Sequence, residues 1–380
     1  MNKLKFALSL VLLFAVLAVI ITVLFCSIRI TTGPVVFECG TDEYAVVWST
    51  SLKGSGYVKY TYEGEEKVIW DTKGGTIATD DTVHMVKVPK NELRNNTDSV
   101  GSQYVFLKAS YMAYKGRTVE SEEFLFSGTE KQDDIRALCI SDIHGMTEEM
   151  KKSVSHFEET PDIIFMIGDI SSEMIFKSQF EKNILRNAYI LSGGSIPVVY
   201  TRGNHETRGE FSAQMLDYFP TNTGEFYFTF DFGGISALVL DSGEDKEDDH
   251  REYSGLVDFS SYRKKELKWL TSLEKEDFDG KYKIVLCHHP LIDTEYFGKD
   301  WETPLKNLGM DLVVGGHYHE SRIVEGDLPR LIDGGKLKDM NDGEKTKWAA
   351  SMMHFKDGKI AMKTVNLNGE TILSEELEVK

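Results

Sequence analysis

Runs of basic residues are missing from this sequence, and cysteine is scarce in it. Lysine and arginine number 43 against 61 aspartates and glutamates, a formal charge of −18. Without a Lys/Arg-rich stretch to form a groove, so acidic a chain repels nucleic acid, which is not expected as a partner. Soluble phosphorylated substrates stay open, since bound metal ions reverse the local field. The four cysteines make no disulfide framework. Cys26 lies in an apolar run, Cys139 and Cys287 fall in candidate buried strands, and Cys39 stands alone in a polar context. Most read as small buried hydrophobes and leave the compartment open. Internal repeats and low-complexity linkers are lacking too. A hydrophobic content of 41% with 27% charged residues excludes wholesale disorder. At 380 residues the chain is too long for one core and long enough for two domains and an extra element.

What is present begins with an apolar run. Residues 6–28 read FALSLVLLFAVLAVIITVLFCSI, with no charge and only three hydroxyl residues. That length can cross a hydrocarbon core, which needs about 20 residues. Lys3 and Lys5 precede it and only Arg29 follows at once, so the positive-inside rule puts the N-terminus in the cytoplasm. The expectation is a transmembrane anchor over 1–32, single-pass in the cell membrane, with the remainder extracytoplasmic. A cleaved signal peptide is the competing reading. Against it, the run exceeds the usual ~7–15 residue apolar region and no A-x-A-like site follows. Phe25 before Cys26 also spoils a lipoprotein-type site.

Gly33-Pro34 opens a different texture, rich in Val, Tyr, Thr and Phe. Strands are predicted at 44–50, 57–62, 84–88, 103–113 and 122–127. Turn signals at Lys53-Gly54-Ser55-Gly56, Gly74-Gly75 and Asn95-Asn96 separate them. This pattern predicts a small antiparallel β-sandwich over 33–130. No chemistry is visible in it, and its lone His84 reads as a surface strand residue.

From 131 to 380 the pattern alternates. Buried strands are predicted at 137–141, 163–167, 197–201, 235–240, 283–287 and 311–314, and helices at 146–159 and 261–276. Strand–helix alternation argues for a layered α/β unit, whose functional groups gather just past strand ends. The loop 241–250 (DSGEDKEDDH) reads as solvated acidic surface. Five strands run into residues of metal-ligand type. These are Asp142-Ile143-His144, Gly168-Asp169, Arg202-Gly203-Asn204-His205-Glu206, His288-His289 and Gly316-His317-Tyr318-His319, and they hold six of the ten histidines. Histidines scattered through core and surface would not cluster so. Hydrolysis of a phosphate monoester needs rate accelerations of up to ~10²¹. Two divalent ions about 3.5–4 Å apart supply this by neutralising phosphoryl oxygens and making hydroxide from water. Such a site takes carboxylates, a carboxamide oxygen and neutral imidazoles. Each piece alone is a weak signal, but the ordered set is specific.

The order DxH, GD, GNHE, VxxH (residues 285–288) and GHxH resembles the calcineurin-like metallophosphoesterases over about residues 135–335. The resemblance implies an α+β protein, an α/β/β/α sandwich of two facing sheets flanked by helices. It implies two divalent metal ions, Mn, Fe or Zn. Asp142, His144 and His319 would hold one, Asp169 would bridge, and Asn204, His288 and His317 would hold the second. His205 would be the general acid toward the leaving group, with attack by a metal-bound hydroxide. Arg202 and His289 would help bind the substrate phosphate. The preceding sandwich resembles the fibronectin-like domain of purple acid phosphatases, with Trp48 as its anchor. Ser172 stands where those enzymes carry a ligand tyrosine, so their tyrosinate-bound iron(III) is not expected. Ser172 and Glu173 also replace the aspartate and arginine of protein serine/threonine phosphatases, so neither their His205-orienting carboxylate nor protein-phosphatase activity is expected, and Glu206 is left as the carboxylate that could influence His205. The expected function is an exported phosphoesterase, with phosphomonoesters favoured. Alternatives are a phosphodiesterase on the same fold and a non-catalytic cell-surface binding protein. A relic of the latter kind should have lost ligands, yet none of the seven positions is vacant.

Overall fold

Apolar residues on both faces of their strands build two sheets that face each other. The structure, a computed structural model, describes all residues but 1, 26, 41, 94–96, 109–112, 127, 129–130, 291–300, 338–347 and 380; side chains at 2–4, 19–25, 97, 104–108 and 113–114 are also outside it. In the first sheet Ile135–Ile140, Ile163–Ile167 and Val198–Thr201 run parallel, and Trp348–Lys356, Lys359–Asn366 and Thr371–Glu378 extend it antiparallel. The second has Phe228–Phe232, Ile235–Leu240, Tyr282–Cys287, Leu312–Gly315, Arg330–Ile332 and Arg322–Val324 in that order. Ala137, Cys139, Phe165 and Val199 from one sheet meet Phe230, Val239, Ile284 and Val314 from the other in a shared core.

The alternate residues face outward into helices. Leu138, Ile140, Met166 and Tyr200 pack with Met150, Phe180, Ile184 and Met215. Leu240, Val285 and Val313 pack with Leu270 and Leu305. Helix, sheet, sheet, helix is therefore the layer order, as the family resemblance implies. Thr147–Val154 and Phe259–Leu270 are the two predicted helices. The helical run from Lys177 to Ser192 is a further element that the sequence reading did not identify.

The N-terminal strands differ from a detached sandwich. Ile30–Glu38 pairs antiparallel with Glu43–Tyr62 and parallel with Val198–Thr201, so they continue the first sheet, which counts 14 strands. Their side chains alternate between two cores. Val35, Phe37, Ala45 and Val47 join the helix-covered core, while Val36, Tyr44, Val46 and Trp48 face a cluster with Val58, Tyr60, Val86 and Phe126. Trp48 is fully buried and donates from Nε1 to Ser102 Oγ (3.0 Å).

Lys53-Gly54-Ser55-Gly56 is not a turn. Glu43–Tyr62 runs straight through it, because its glycines admit neighbouring strands too close for any side chain: a Cβ on Gly54 would lie 2.6 Å from the Gln103 carbonyl. His84 is buried rather than at the surface, against Trp48 and 2.9 Å from Thr50 Oγ1. Burial lowers its pKa to about 4. Cys39 is likewise buried, whatever its polar neighbours, while the predicted turn at Asn95-Asn96 lies outside the described residues.

The chain begins with the helix Asn2–Phe25. The side chains described in it, at 5–18, are all exposed. Among the described residues no helix is long and apolar enough to cross a membrane. The transmembrane span expected over 1–32 thus has no support at this level.

Candidate metal centre

Parallel pairing brings the strand ends together. Ile140 is level with Met166, Ile167 with Thr201, and Leu286 with Val314, so all five loops leave the same edge of the sandwich. The loops are then laced to one another: Asp142 N–H donates to the Gly168 carbonyl (3.0 Å), His144 N–H to Asp169 (3.0 Å) and Gly316 N–H to His288 (2.9 Å). Gly168 and Gly203 cross so closely that a Cβ on Gly168 would lie 2.6 Å from the Gly203 Cα.

Backbone strain concentrates here. Asp142, His144, Asp169, His317 and His319 all have positive φ, from 47° to 71°. Such conformations cost non-glycine residues on the order of 1–3 kcal/mol each and persist only where surroundings over-determine them. Glu206 supplies part of that restraint. Fully buried, it accepts N–H bonds from Asp169 (2.9 Å), Ser171 (2.7 Å) and Gly203 (2.8 Å). It thereby ties two ligand loops together rather than orienting His205.

The side chains converge in three overlapping groups: Asp142, His144 and His319; Asp169, His288 and His317; and His144, Asp169 and His205. Asp142 Oδ1 lies 3.8 Å from His144 Nε2 and 3.6 Å from His319 Nε2. Asp169 Oδ2 lies between the groups, 3.6 Å from His144 Nε2 and 3.3 Å from His288 Nε2. Asn204 Oδ1 joins the second group, 3.1 Å from His317 Nδ1. Asp142 Oδ1, His144 Nε2 and His288 Nε2 are buried and hydrogen-bonded to nothing among the described residues. Buried polar atoms left so are costly unless something else binds them. Facing inward as a mixed N/O set, they fit divalent metal ions.

The far sides of the imidazoles are held, as ligand histidines require. His288 Nδ1–H donates to the Ile167 carbonyl (2.8 Å) and His319 Nδ1–H to that of Lys336 (2.7 Å), which leaves Nε2 facing inward in both. His317 is reversed, its Nδ1 inward and its Nε2 3.6 Å from Asp245. Electrostatics separates the rings. Burial opposes charge on His288, but the Asp169 carboxylate overcomes it and raises the pKa to about 10. Burial and the nearby His288 lower His317 to about 4. A proton on His288 therefore occupies, in the metal-free protein, a place a cation would take.

His205 belongs to the rim. Its side chain is 30% exposed, with Nε2 3.9 Å from Asp169 Oδ2, and its Nδ1–H donates to the Ser172 carbonyl (2.9 Å). A backbone carbonyl thus does what no carboxylate at 172 or 173 is placed to do. Arg202 is turned elsewhere: it donates to buried Asp241 (2.5 Å) beneath the Phe226 ring. His289 is buried beside His317, its Nε2 3.1 Å from the Tyr318 hydroxyl. The acidic loop 241–250 is solvated only in part, with Glu247 and Asp249 exposed. Asp241 and Glu244 are buried ion-pair partners of Arg202 and Arg208, and Asp245 backs His317. Arg208 and Asp245 are the residues that the sequence reading missed. The one signal for Arg208 was a cation three places past His205; Asp245 was hidden among like charges.

Carboxylates and imidazoles gathered around Asp169 at the strand ends of facing sheets form a candidate divalent-metal site. Comparison with known proteins agrees: residues 135–321 match the family described as Calcineurin-like phosphoesterase. The chain is similar to Serine/threonine-protein phosphatase CPPED1 of Pongo abelii and of Homo sapiens, each 26% identical over 198 residues, covering 46% of this chain and 59% of the relative. The Danio rerio protein of that name is 22% identical over 249 residues, covering 57% and 78%. This chain thus spans less than two thirds of the length of the first two. A solved structure of PhoD shares the fold at a TM-score of 0.51 and 11% identity, over 93% of this chain and 88% of that one. Residues 135–321 are thus similar to a calcineurin-like phosphoesterase domain.

Proposed function

We propose that this chain hydrolyses phosphate monoesters with two divalent metal ions. Asp142, His144 and His319 would hold one, Asn204, His288 and His317 the other, with Asp169 shared. The observation that carries this reading is the inward-facing set of buried, unpartnered ligand atoms around Asp169. When bound, the ions would offset phosphoryl charge and activate a water molecule. The chain's own residues do the rest. His205, fixed at Nδ1 by the Ser172 carbonyl, presents Nε2 at the rim, where it can hold a proton and deliver it to a leaving oxygen. Asp245 lies 3.6 Å from His317 Nε2, on the side of the ring away from Asn204. His289, neutral because burial and His317 lower its pKa to about 3, can take part only through hydrogen bonds. Arg202 is engaged with Asp241. The fibronectin-like reading of the N-terminal strands rests on the core around Trp48.

The full chain, purified in mild detergent, should hold close to two divalent metals and lose activity to chelators. A panel of aryl and alkyl monoesters, a phosphoserine peptide and diesters, with Mn²⁺, Zn²⁺, Fe²⁺ or no added metal, tests the rest. A fully active preparation with one metal or none sinks the two-metal reading, and preference for diesters sinks the monoester reading.

We also read the N-terminal helix as a membrane anchor. Phe6, Val11, Leu12 and Phe14 are 64–71% exposed around it, and a helix apolar on every side belongs in the core of a large protein or in lipid. External protease should then degrade the catalytic domain in intact cells, with the chain in the membrane fraction. Recovery of a soluble product starting near residues 27–34 would establish a cleaved signal peptide instead.

A further inference from the structure

Two arginines flank the GNHE loop, and the structure uses them differently. Arg202 is buried, its guanidinium taken by Asp241 under the rings of Phe226, Phe259 and Tyr262. Arg208 leaves the short helical turn His205–Thr207 and stays 30% exposed. Its Nε and Nη2 donate to the two oxygens of Glu244, at 2.6 and 3.0 Å. That carboxylate is itself fixed, buried and accepting from the Tyr253 hydroxyl (2.9 Å) and the Thr207 hydroxyl (3.1 Å). A fork held on one side points its other side in a set direction. The remaining nitrogen, Nη1, lies 3.5 Å from His205 Nε2, the atom aimed at the leaving oxygen.

We propose that Arg208, rather than Arg202, is the arginine that binds the substrate phosphoryl group, and that it selects monoesters over diesters. For its substrate the assignment rests on the hydrolase reading above. A phosphoryl group placed beside His205 Nε2 comes within reach of Nη1–H. A monoester offers three terminal oxygens there and, near neutral pH, two negative charges. A diester offers two oxygens and one charge, and its second ester group sets carbon where Nη1 needs an acceptor. Because Glu244 already balances the guanidinium charge, Arg208 contributes directed donors more than net charge. Its effect should therefore depend on substrate shape.

Truncating Arg208 would strand the buried Glu244 carboxylate, an uncompensated charge that can unfold a protein. Arg208→Lys avoids this. An ammonium can keep the ion pair with Glu244 but has no second nitrogen to extend toward His205. In the metal-loaded full chain, kcat/KM for 4-nitrophenyl phosphate should fall about 10–100-fold in Arg208→Lys, the range for losing a charge-assisted hydrogen bond. For methyl 4-nitrophenyl phosphate it should change less than about threefold. Calorimetry with inorganic phosphate should show weakening by a similar factor, at unchanged metal content. The double variant Arg208→Gln/Glu244→Gln, which leaves no stranded charge, should behave likewise. Equal losses on both esters, or unchanged phosphate affinity, would overturn the assignment. If no ester is turned over but phosphate binds and weakens in Arg208→Lys, the hydrolase reading fails and the phosphate site stands.

Discussion

Replacing Asp169 with asparagine should lower kcat/KM for a phosphomonoester by at least about a thousandfold, with loss of metal from both sites. Removing one preorganised donor from a charge-stabilising site costs about 10²–10³ in rate. Asp169 is worth more than one donor, because Oδ2 sits against His144 on one side and His288 on the other. Asparagine is suited to the test. It tolerates the φ of 53° found here, and its carbonyl oxygen can still accept from His205 N–H, which Asp169 Oδ1 does at 2.9 Å. The loop is then kept while the shared negative charge goes. Without that charge, the main influence raising the His288 pKa in the metal-free protein is also removed. Excess metal should therefore refill the His288 side to some degree without restoring the rate. Elemental analysis beside kinetics checks this; two retained metals, or activity above about a tenth of wild type, would show that Asp169 is not the shared ligand.

The strands that carry this site were legible because each is buried on both faces and ends in a ligand. ALCIS before Asp142 and IIFMI before Asp169 leave no room for another period. Less legible was anything set by what arrives from far along the chain. Gly54 and Gly56 carry a turn signal by composition, yet Gln103 and His84 approach them so closely that they serve a continuous strand. The join between Ile30–Glu38 and Val198–Thr201 rests on one parallel register, Phe37 with Val198, that nothing local encodes. Acidic residues at 241–250 look alike in sequence, but Asp241 is buried with an arginine and a tyrosine hydroxyl, Glu244 with Arg208, and Asp245 is drawn to His317. Charge says that a residue needs a partner or water, and only the fold says which. The same holds for His205: residues 172 and 173 lacked the orienting carboxylate, and the backbone of Ser172 supplied the acceptor instead.

Asn204 and His205 are adjacent, yet their substitution should separate metal binding from proton transfer. Asn204 Oδ1 points into the second ligand group beside His317 Nδ1. In Asn204→Ala a neutral oxygen donor is lost, so occupancy on that side should drop and activity should partly return at high metal. His205 points to the rim, with its Nδ1 tied to a carbonyl and its Nε2, 3.5 Å from Arg208 Nη1, left to exchange a proton with a bound ester. His205→Ala should keep both metals and lose the assistance given to the leaving oxygen, typically worth about 10²–10⁴ in rate. The loss should be greatest for alkyl phosphates, whose alkoxides depart poorly, and small for 4-nitrophenyl phosphate, whose phenolate leaves unprotonated. Added metal should not repair it. A steep dependence on leaving-group basicity in His205→Ala, beside a nearly parallel one in Asn204→Ala, is the expected signature. Should His205→Ala lose metal and regain activity on titration with it, His205 is a ligand. Should it slow every ester equally, His205 acts on the phosphoryl group rather than on the departing oxygen.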